Sequence, residues 1–182
     1  LYEDNELMAR VQAGDKGAYE ELVLKHRLKA IAFANSFVCD LYTAEDIVQE
    51  CFVKVYIHRE TYQPSHAFNT YLFTIIRNSC IDYLRSRQAS RSFSSEAVPE
   101  LSDHTTPEEI LASRENTKLI YEVLDDLQID YKTALYLYAV ADFSYKDIAS
   151  IMKKSVPQIK ILLYRARKKF KLQYKELMVN EE

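Results

Sequence analysis

The chain has 182 residues, a formal net charge of −3, 48% apolar residues, two glycines and four prolines. So few turn residues exclude hairpin-rich sandwiches and barrels and predict an all-α protein of helices joined by short loops. No apolar run approaches the ~18 residues of a membrane span and no signal-peptide pattern is visible. Cys39, Cys51 and Cys80 suit neither a zinc site nor a disulfide framework, so a cytoplasmic protein with buried thiols, no metal or cofactor and no direct membrane insertion is expected.

The apolar spacing predicts N-terminal helices over 4–13, 16–38, 43–59 and 66–87. Thr43, with Asp46 three residues on, reads as the cap of the third. The stretch "QASRSFSSEAVPELSDHT", 88–105, holds five serines and a proline with little helical periodicity. It reads as a linker between two small helical domains, 1–87 and 106–182. Thr106-Pro107-Glu108-Glu109 is a capping box with proline at the first helical position. Further helices are predicted over 107–127, 130–141, 144–152 and 155–177, with Ser144 and Ser155 as caps. Leu72, Phe73, Ile75 and Ile76 are expected in the core of the first domain. His58 and His66 have no chemical partner in the pattern and read as surface residues.

Charge is segregated along the chain. Residues 96–130 carry 2 basic and 10 acidic side chains, and residues 131–182 carry 11 basic and 5 acidic. Between Lys153 and Lys175 there are nine cations and no acid. The stretch "SYKDIASIMKKSVPQIKILLYRARKKF" places a short amphipathic helix, a tight turn and a longer basic helix in succession. Val156, Ile159, Leu163, Ala166 and Phe170 fall on one core stripe of that helix. This is the helix-turn-helix arrangement, whose second helix fits a major groove. Gln158 and Lys160 lie near its start, within reach of base edges. Arg167, Lys168, Lys169 and Lys171 are better placed for phosphates. A merely solvated face is the alternative, but like charges at i,i+4 spacing repel one another.

Motifs in the first domain narrow the choice among DNA-binding regulators. "AEDIVQECFVKVY" (44–56), then "FNTYLFTIIRNSCIDYLRSR" (68–87), resemble region 2 of bacterial sigma factors of the extracytoplasmic-function (group 4) class. "DNELMARVQAGDKGAYEELV" (4–23) resembles the start of that domain, and residues 119–170 resemble region 4. The resemblance implies two helical domains on a tether and a non-enzymatic initiation factor. Such a factor binds core RNA polymerase, directs it to promoter DNA and is held inactive by an anti-sigma partner. No small-molecule substrate is implied. On this resemblance Glu45, Asp46, Val48, Gln49, Glu50 and Phe52 contact polymerase. Ile47 and Val55 add apolar packing, and the acids also suit a helix N-terminus.

The downstream (-10) element falls to the aromatic and basic block from Arg59 to Arg91. Strand opening calls for rings on which bases stack and cations that meet phosphates. The residues implied are Tyr62, Phe68, Asn69, Tyr71, Arg77, Asn78, Arg85 and Arg87, with the 60–68 loop taking an unstacked base. The upstream (-35) element falls to Ser155, Pro157, Gln158, Lys160, Ile161, Tyr164, Arg165, Arg167 and Lys168. The chain departs from the family pattern in places. Tyr71 stands where tryptophan is common, Leu127-Gln128 where Leu-Pro is common, and Pro157-Gln158-Ile159-Lys160 where Gly-Thr-Val-Lys is common. With Ile161-Leu162 following, fewer hydrogen-bonding groups face the groove. Two rivals stay open: a conventional helix-turn-helix regulator, which would bind its promoter alone, and a sigma-derived interaction protein without promoter reading.

Overall fold

A computed structural model describes residues 2–63, 67–93, 123–124 and 126–180. Among these residues there are seven α-helices, one 3-10 turn and no strand, the all-α outcome that the composition demands. The chain divides into two units near residue 100.

The first unit opens with α1 (Tyr2–Gln12) and α2 (Lys16–Val38). Between them Gly14 takes φ 94°, a left-handed conformation open to a residue without Cβ. Asp15 then caps α2 by accepting from the Ala18 N–H at 3.1 Å. Arg10 donates to the same carboxylate from Nε at 3.0 Å and Nη2 at 2.7 Å. The Ala18 N–H first, and Arg10 next, hold the Asp15 carboxyl below its ordinary value.

Next comes α3 (Leu41–Ile57). Its cap is Asp40 rather than the predicted Thr43. Asp40 accepts from both the Thr43 N–H, at 3.2 Å, and the Thr43 hydroxyl. A carboxylate satisfies the same orphan donors and also answers the positive end of the helix dipole. A 3-10 turn, Arg59–Thr61, leads on to α4 (Phe68–Phe93). Residues 88–93, read as linker from their serines, therefore continue the helix. They contain neither glycine nor proline to stop it. The Thr106 capping box, His66 and most of the helix predicted over 107–127 lie outside the described residues. His58 is exposed, as expected.

The core of the first unit lies where α2, α3 and α4 meet. Phe33 stands within it, 5.0 Å from the ring of Phe37 and 5.0 Å from that of Phe73. Ala30 and Ala34 are fully buried on α2, and such small residues leave room for neighbouring rings. Leu72, Phe73 and Ile76 are inside as expected, whereas Ile75 is only half-buried. Cys51 and Cys80 are buried, and burial pushes both thiols up, Cys80 to about 12. Cys39 is exposed, against the expectation for it, because it is the left-handed cap that ends α2 at the surface.

Beyond residue 100 come α5 (Ile129–Ala139), α6 (Tyr145–Met152) and α7 (Val156–Asn180). Helices α5 and α7 pack on one another. Ile159, Leu163 and Ala166 of the predicted α7 stripe are buried, with Val156 and Phe170 half-buried at its ends. Ile148, Ala149 and Met152 of α6 are buried, as their shared face predicts.

In the first unit α1 is fastened to α2 by a buried pair. Asp4 Oδ2 lies 3.1 Å from His26 Nε2, and Asp4 Oδ1 lies 2.8 Å from Lys25 Nζ. Burial lowers the His26 pKa, and Asp4 only partly offsets that effect. The native state therefore holds His26 neutral at a pH where the unfolded chain takes up a proton. Stability is retained above the ordinary histidine value of about 6.5 and falls as pH drops below it. Urea unfolding should show a lower midpoint at pH 5.5 than at pH 7.5, and His26→Gln should flatten that difference.

Candidate nucleic-acid interface

Helices α6 and α7 each begin with a serine cap. Ser144 Oγ accepts from the Asp147 N–H at 3.2 Å and donates to the Asp147 carboxylate. At the next helix the box is reciprocal. Ser155 Oγ accepts from the Gln158 N–H at 3.4 Å, and Gln158 Oε1 accepts from the Ser155 N–H at 2.7 Å. Pro157 follows in the first turn, where its missing N–H leaves no bond unmade. Lys153 takes φ 52° at the end of α6, and the Lys154 N–H returns to the Ala149 carbonyl at 2.9 Å. The Lys154 ammonium lies 3.2 Å from Asp130 at the start of α5.

Side chains on α7 sort by angle at ~100° per residue. Lys160, Tyr164, Arg167, Lys168, Lys171 and Lys175 fall within a solvent-facing arc of roughly 100°, and all six are exposed. Pro157 and Ile161 lie on or beside this face. The stripe from Lys160 to Lys175 is about 22 Å long at 1.5 Å per residue. Gln158 and Arg165 share a neighbouring flank instead. Ser155 serves the helix start. The Arg167 guanidinium lies 4.5 Å from the ring centre of Tyr138, which stacks on Tyr145 at 5.4 Å. That stack ties α7 to α5 and α6 while Arg167 stays exposed.

On α4, Tyr71, Asn78 and Arg85 recur every seven residues along one outward line about 21 Å long. Arg85 is exposed, and Tyr71 and Asn78 are half-buried. Arg77 sits on the flank of this line, its Nη1 3.5 Å from Asn78 Oδ1. Asn69 and Arg87 lie toward the core side of the helix and are half-buried. Tyr62 and Phe68 do not present an open face: they are 7% and 0% exposed. Their rings pack edge to face, 6.3 Å apart, and Tyr62 meets Tyr71 in the same way at 5.0 Å. Both are therefore packing residues in this structure.

Two hydrogen-bonding side chains from α1 reach Arg59, Tyr62 and Phe68, and the motifs gave no sign of either. Asn5 Oδ1 accepts from the Tyr62 hydroxyl at 2.9 Å and from the Phe68 N–H at 3.2 Å. Gln12 Nε2 donates to the Arg59 carbonyl at 2.9 Å and to the Tyr62 carbonyl at 3.0 Å. These pairs span more than 45 residues of sequence, so local spacing carries no trace of them.

On α3, Asp46, Gln49 and Glu50 are exposed and Glu45 is half-exposed, with its carboxylate 3.9 Å from Arg27. Val48 and Phe52 are buried at 1% and 5% exposure, and Ile47 and Val55 are buried with them. The apolar members of the outward stripe are Tyr42, Val53 and Ile57, which are more than half exposed. The repeat Tyr42, Asp46, Gln49, Val53, Ile57 at steps of four, three, four and four carries that stripe. A cleft of about 310 Å³ runs beside it, with Val48 and Phe52 in its lining. Between α3 and α4 an open depression of about 490 Å³ is lined by Asp46, Glu50, Lys54, Ser79 and Asp82 among others. Among the described residues no cluster of His, Cys, Asp and Glu is placed to hold a metal ion, and no helix is long and apolar enough to cross a membrane.

The Sigma-70 region 2 family pattern matches residues 22–90, and the Sigma-70, region 4 pattern matches residues 117–170. The RNA polymerase sigma-H factor of Pseudomonas aeruginosa is 32% identical over 175 residues, covering 91% of this chain and 90% of that protein. The ECF RNA polymerase sigma-E factor of Haemophilus influenzae is 31% identical over 185 residues, covering 96% and 97%. Among solved structures, the sigma factor RpoE of Bartonella quintana, in complex with the anti-sigma factor NepR, superposes with a TM-score of 0.73 at 25% identity. That match covers 86% of this chain and 96% of the other. CnrH, in complex with the cytosolic domain of CnrY, shares the fold with a TM-score of 0.75 at 22% identity, covering 96% and 98%.

The reciprocal box at α7 should be measurable as stability. Ser155→Ala removes the hydroxyl acceptor and should cost about 1 kcal/mol, read from urea unfolding followed by circular dichroism.

Proposed function

The chain belongs to the extracytoplasmic-function class of the sigma-70 family, and from that premise we propose how its exposed surfaces divide the work of initiation. The protein is a transcription initiation factor that binds core RNA polymerase and directs it to promoters. Its family is non-enzymatic. The α3 stripe of Asp46, Gln49 and Glu50, edged by Tyr42, Val53 and Ile57, is the polymerase-docking ridge. Val48 and Phe52 support it from the core. The α4 line of Tyr71, Asn78 and Arg85, with Arg77 beside it, receives the melted downstream strand. The α7 stripe takes the upstream duplex: Lys160 and Tyr164 enter first, and Arg167, Lys168, Lys171 and Lys175 meet phosphates.

The observation that carries this reading is the α7 stripe: six exposed cationic and aromatic side chains on one face of a capped helix that follows a tight turn. A partner of the anti-sigma kind is proposed as well, since one solved relative was captured with such a factor. The cytoplasm is the proposed place of work. A conventional regulator would bind its promoter unaided, so run-off transcription with and without core polymerase tests the assignment. Specific transcripts should need both components.

Two measurements test the division of labour. Asp46→Ala with Glu50→Ala should weaken binding to core polymerase by about tenfold, or roughly 1.4 kcal/mol, with the melting temperature unchanged. Phe52→Ala should instead lower stability by about 3–5 kcal/mol. For the holoenzyme on an upstream duplex, log affinity should fall with log salt at about −0.9 per neutralised phosphate. Lys168→Ala should shallow that slope by about one unit.

A further inference from the structure

The outward line of α7 changes chemistry along its length. Pro157, Ile161 and Tyr164 recur at steps of four and three, within an arc of roughly 60° and about 10 Å of helix axis. All three are exposed, Ile161 at 53% and Tyr164 at 69%. Lys168, Lys171 and Lys175 continue the same line and are exposed as well. The first two turns thus lead with apolar surface, and the cations that answer phosphates follow behind. Lys160 and Arg165 flank the apolar strip at about 70° to either side, and both side chains offer donors alone. Ile161 has no place inside, because Ile159, Leu163 and Ala166 already fill the core side of the helix. An exposed isoleucine is ordinary on a free surface. Docking in a groove buries it, and against a base amino group it leaves that donor unpaired. The major groove displays one apolar group, the C5-methyl of thymine, together with the O4 acceptor of the same base. An apolar strip flanked by donors complements that edge.

We infer that Ile161 is a specificity-determining residue of the upstream contact, seated on the C5-methyl group of a thymine, with Pro157 and Tyr164 excluding water on either side along the helix. The inference rests on the assignment of α7 to the upstream duplex and names the base feature that the helix reads there. Cytosine in the same place lacks the methyl and presents an amino donor instead of the O4 acceptor, so it loses both the apolar contact and a partner for the flanking donors. Deoxyuridine keeps O4 and the pairing and lacks only the methyl, which isolates the contact made by Ile161.

The test uses holoenzyme assembled from the full chain and core polymerase. Selection from a randomised upstream duplex gives the preferred element, and deoxyuridine then replaces each of its thymines in turn. At one thymine or more the exchange should lower affinity by about fourfold, the worth of one buried methyl group. Ile161→Ala should bind the thymine and uracil forms of that duplex equally, and Ile161→Val should keep the distinction. Lys168→Ala should keep it too, while shallowing the salt dependence. If the preferred element holds no thymine, or uracil serves as well as thymine at every position, the inference is overturned and the assignment of α7 stands. If Ile161→Ala keeps the distinction, another group reads the methyl and the inference is overturned too. If no element is enriched and Lys168→Ala leaves the salt dependence unchanged, α7 does not hold the upstream duplex, and the inference falls with that assignment.

Discussion

The first unit depends on how α2 crosses α4, and that crossing is set by aromatic packing around Phe33. Its ring meets Phe37 on its own helix and Phe73 on α4, each at 5.0 Å, with the buried alanines at 30 and 34 beside it. Aromatic pairs at this spacing add directional preference to the area they bury. Once the crossing is fixed, so is the rotation of α4, and Tyr71, Asn78 and Arg85 must face outward. Rotation of α3 follows from the same core through Val48, Phe52 and Val55, which turns Asp46, Gln49 and Glu50 to the surface. The functional faces are thus the complement of the core pattern.

The second unit solves a similar problem with fewer residues. A helix that enters a groove must present its first turn without fraying, and it must have a firm base. The Ser155–Gln158 box supplies the first requirement. The stack of Arg167 on Tyr138 on Tyr145 contributes to the second, since it draws one side chain from each of three helices. Lys153 carries the turn at φ 52° without glycine, a conformation that costs an L-residue about 1–2 kcal/mol.

Most of the fold was legible because helix periodicity and capping are local signals. The bounds of α2 over Lys16–Val38 and of α6 match the expected ones closely. Where two capping residues compete, as at Asp40 and Thr43, the pattern alone did not choose between them. Serine-rich composition suggested a linker from residue 88, but serine weakens a helix without stopping one. Spacing did not separate ring from core: Tyr62, Phe68 and Phe52 have the chemistry of contact residues and the burial of packing residues. The α1 contacts of Asn5 and Gln12 were invisible for a different reason, since only the folded chain brings them to their acceptors and donors.

A consequence follows for the one amide at the head of α7. Glutamine is suited to adenine because it can offer an acceptor and a donor side by side. In Gln158 the acyl oxygen is turned back on the Ser155 N–H at 2.7 Å, which leaves the NH2 as the end that can face outward. So held, the residue turns donors outward, the complement of acceptors such as guanine O6 and N7 or thymine O4, and its dialect is narrower than its chemistry. The bond that steadies the helix tip also edits the vocabulary available there.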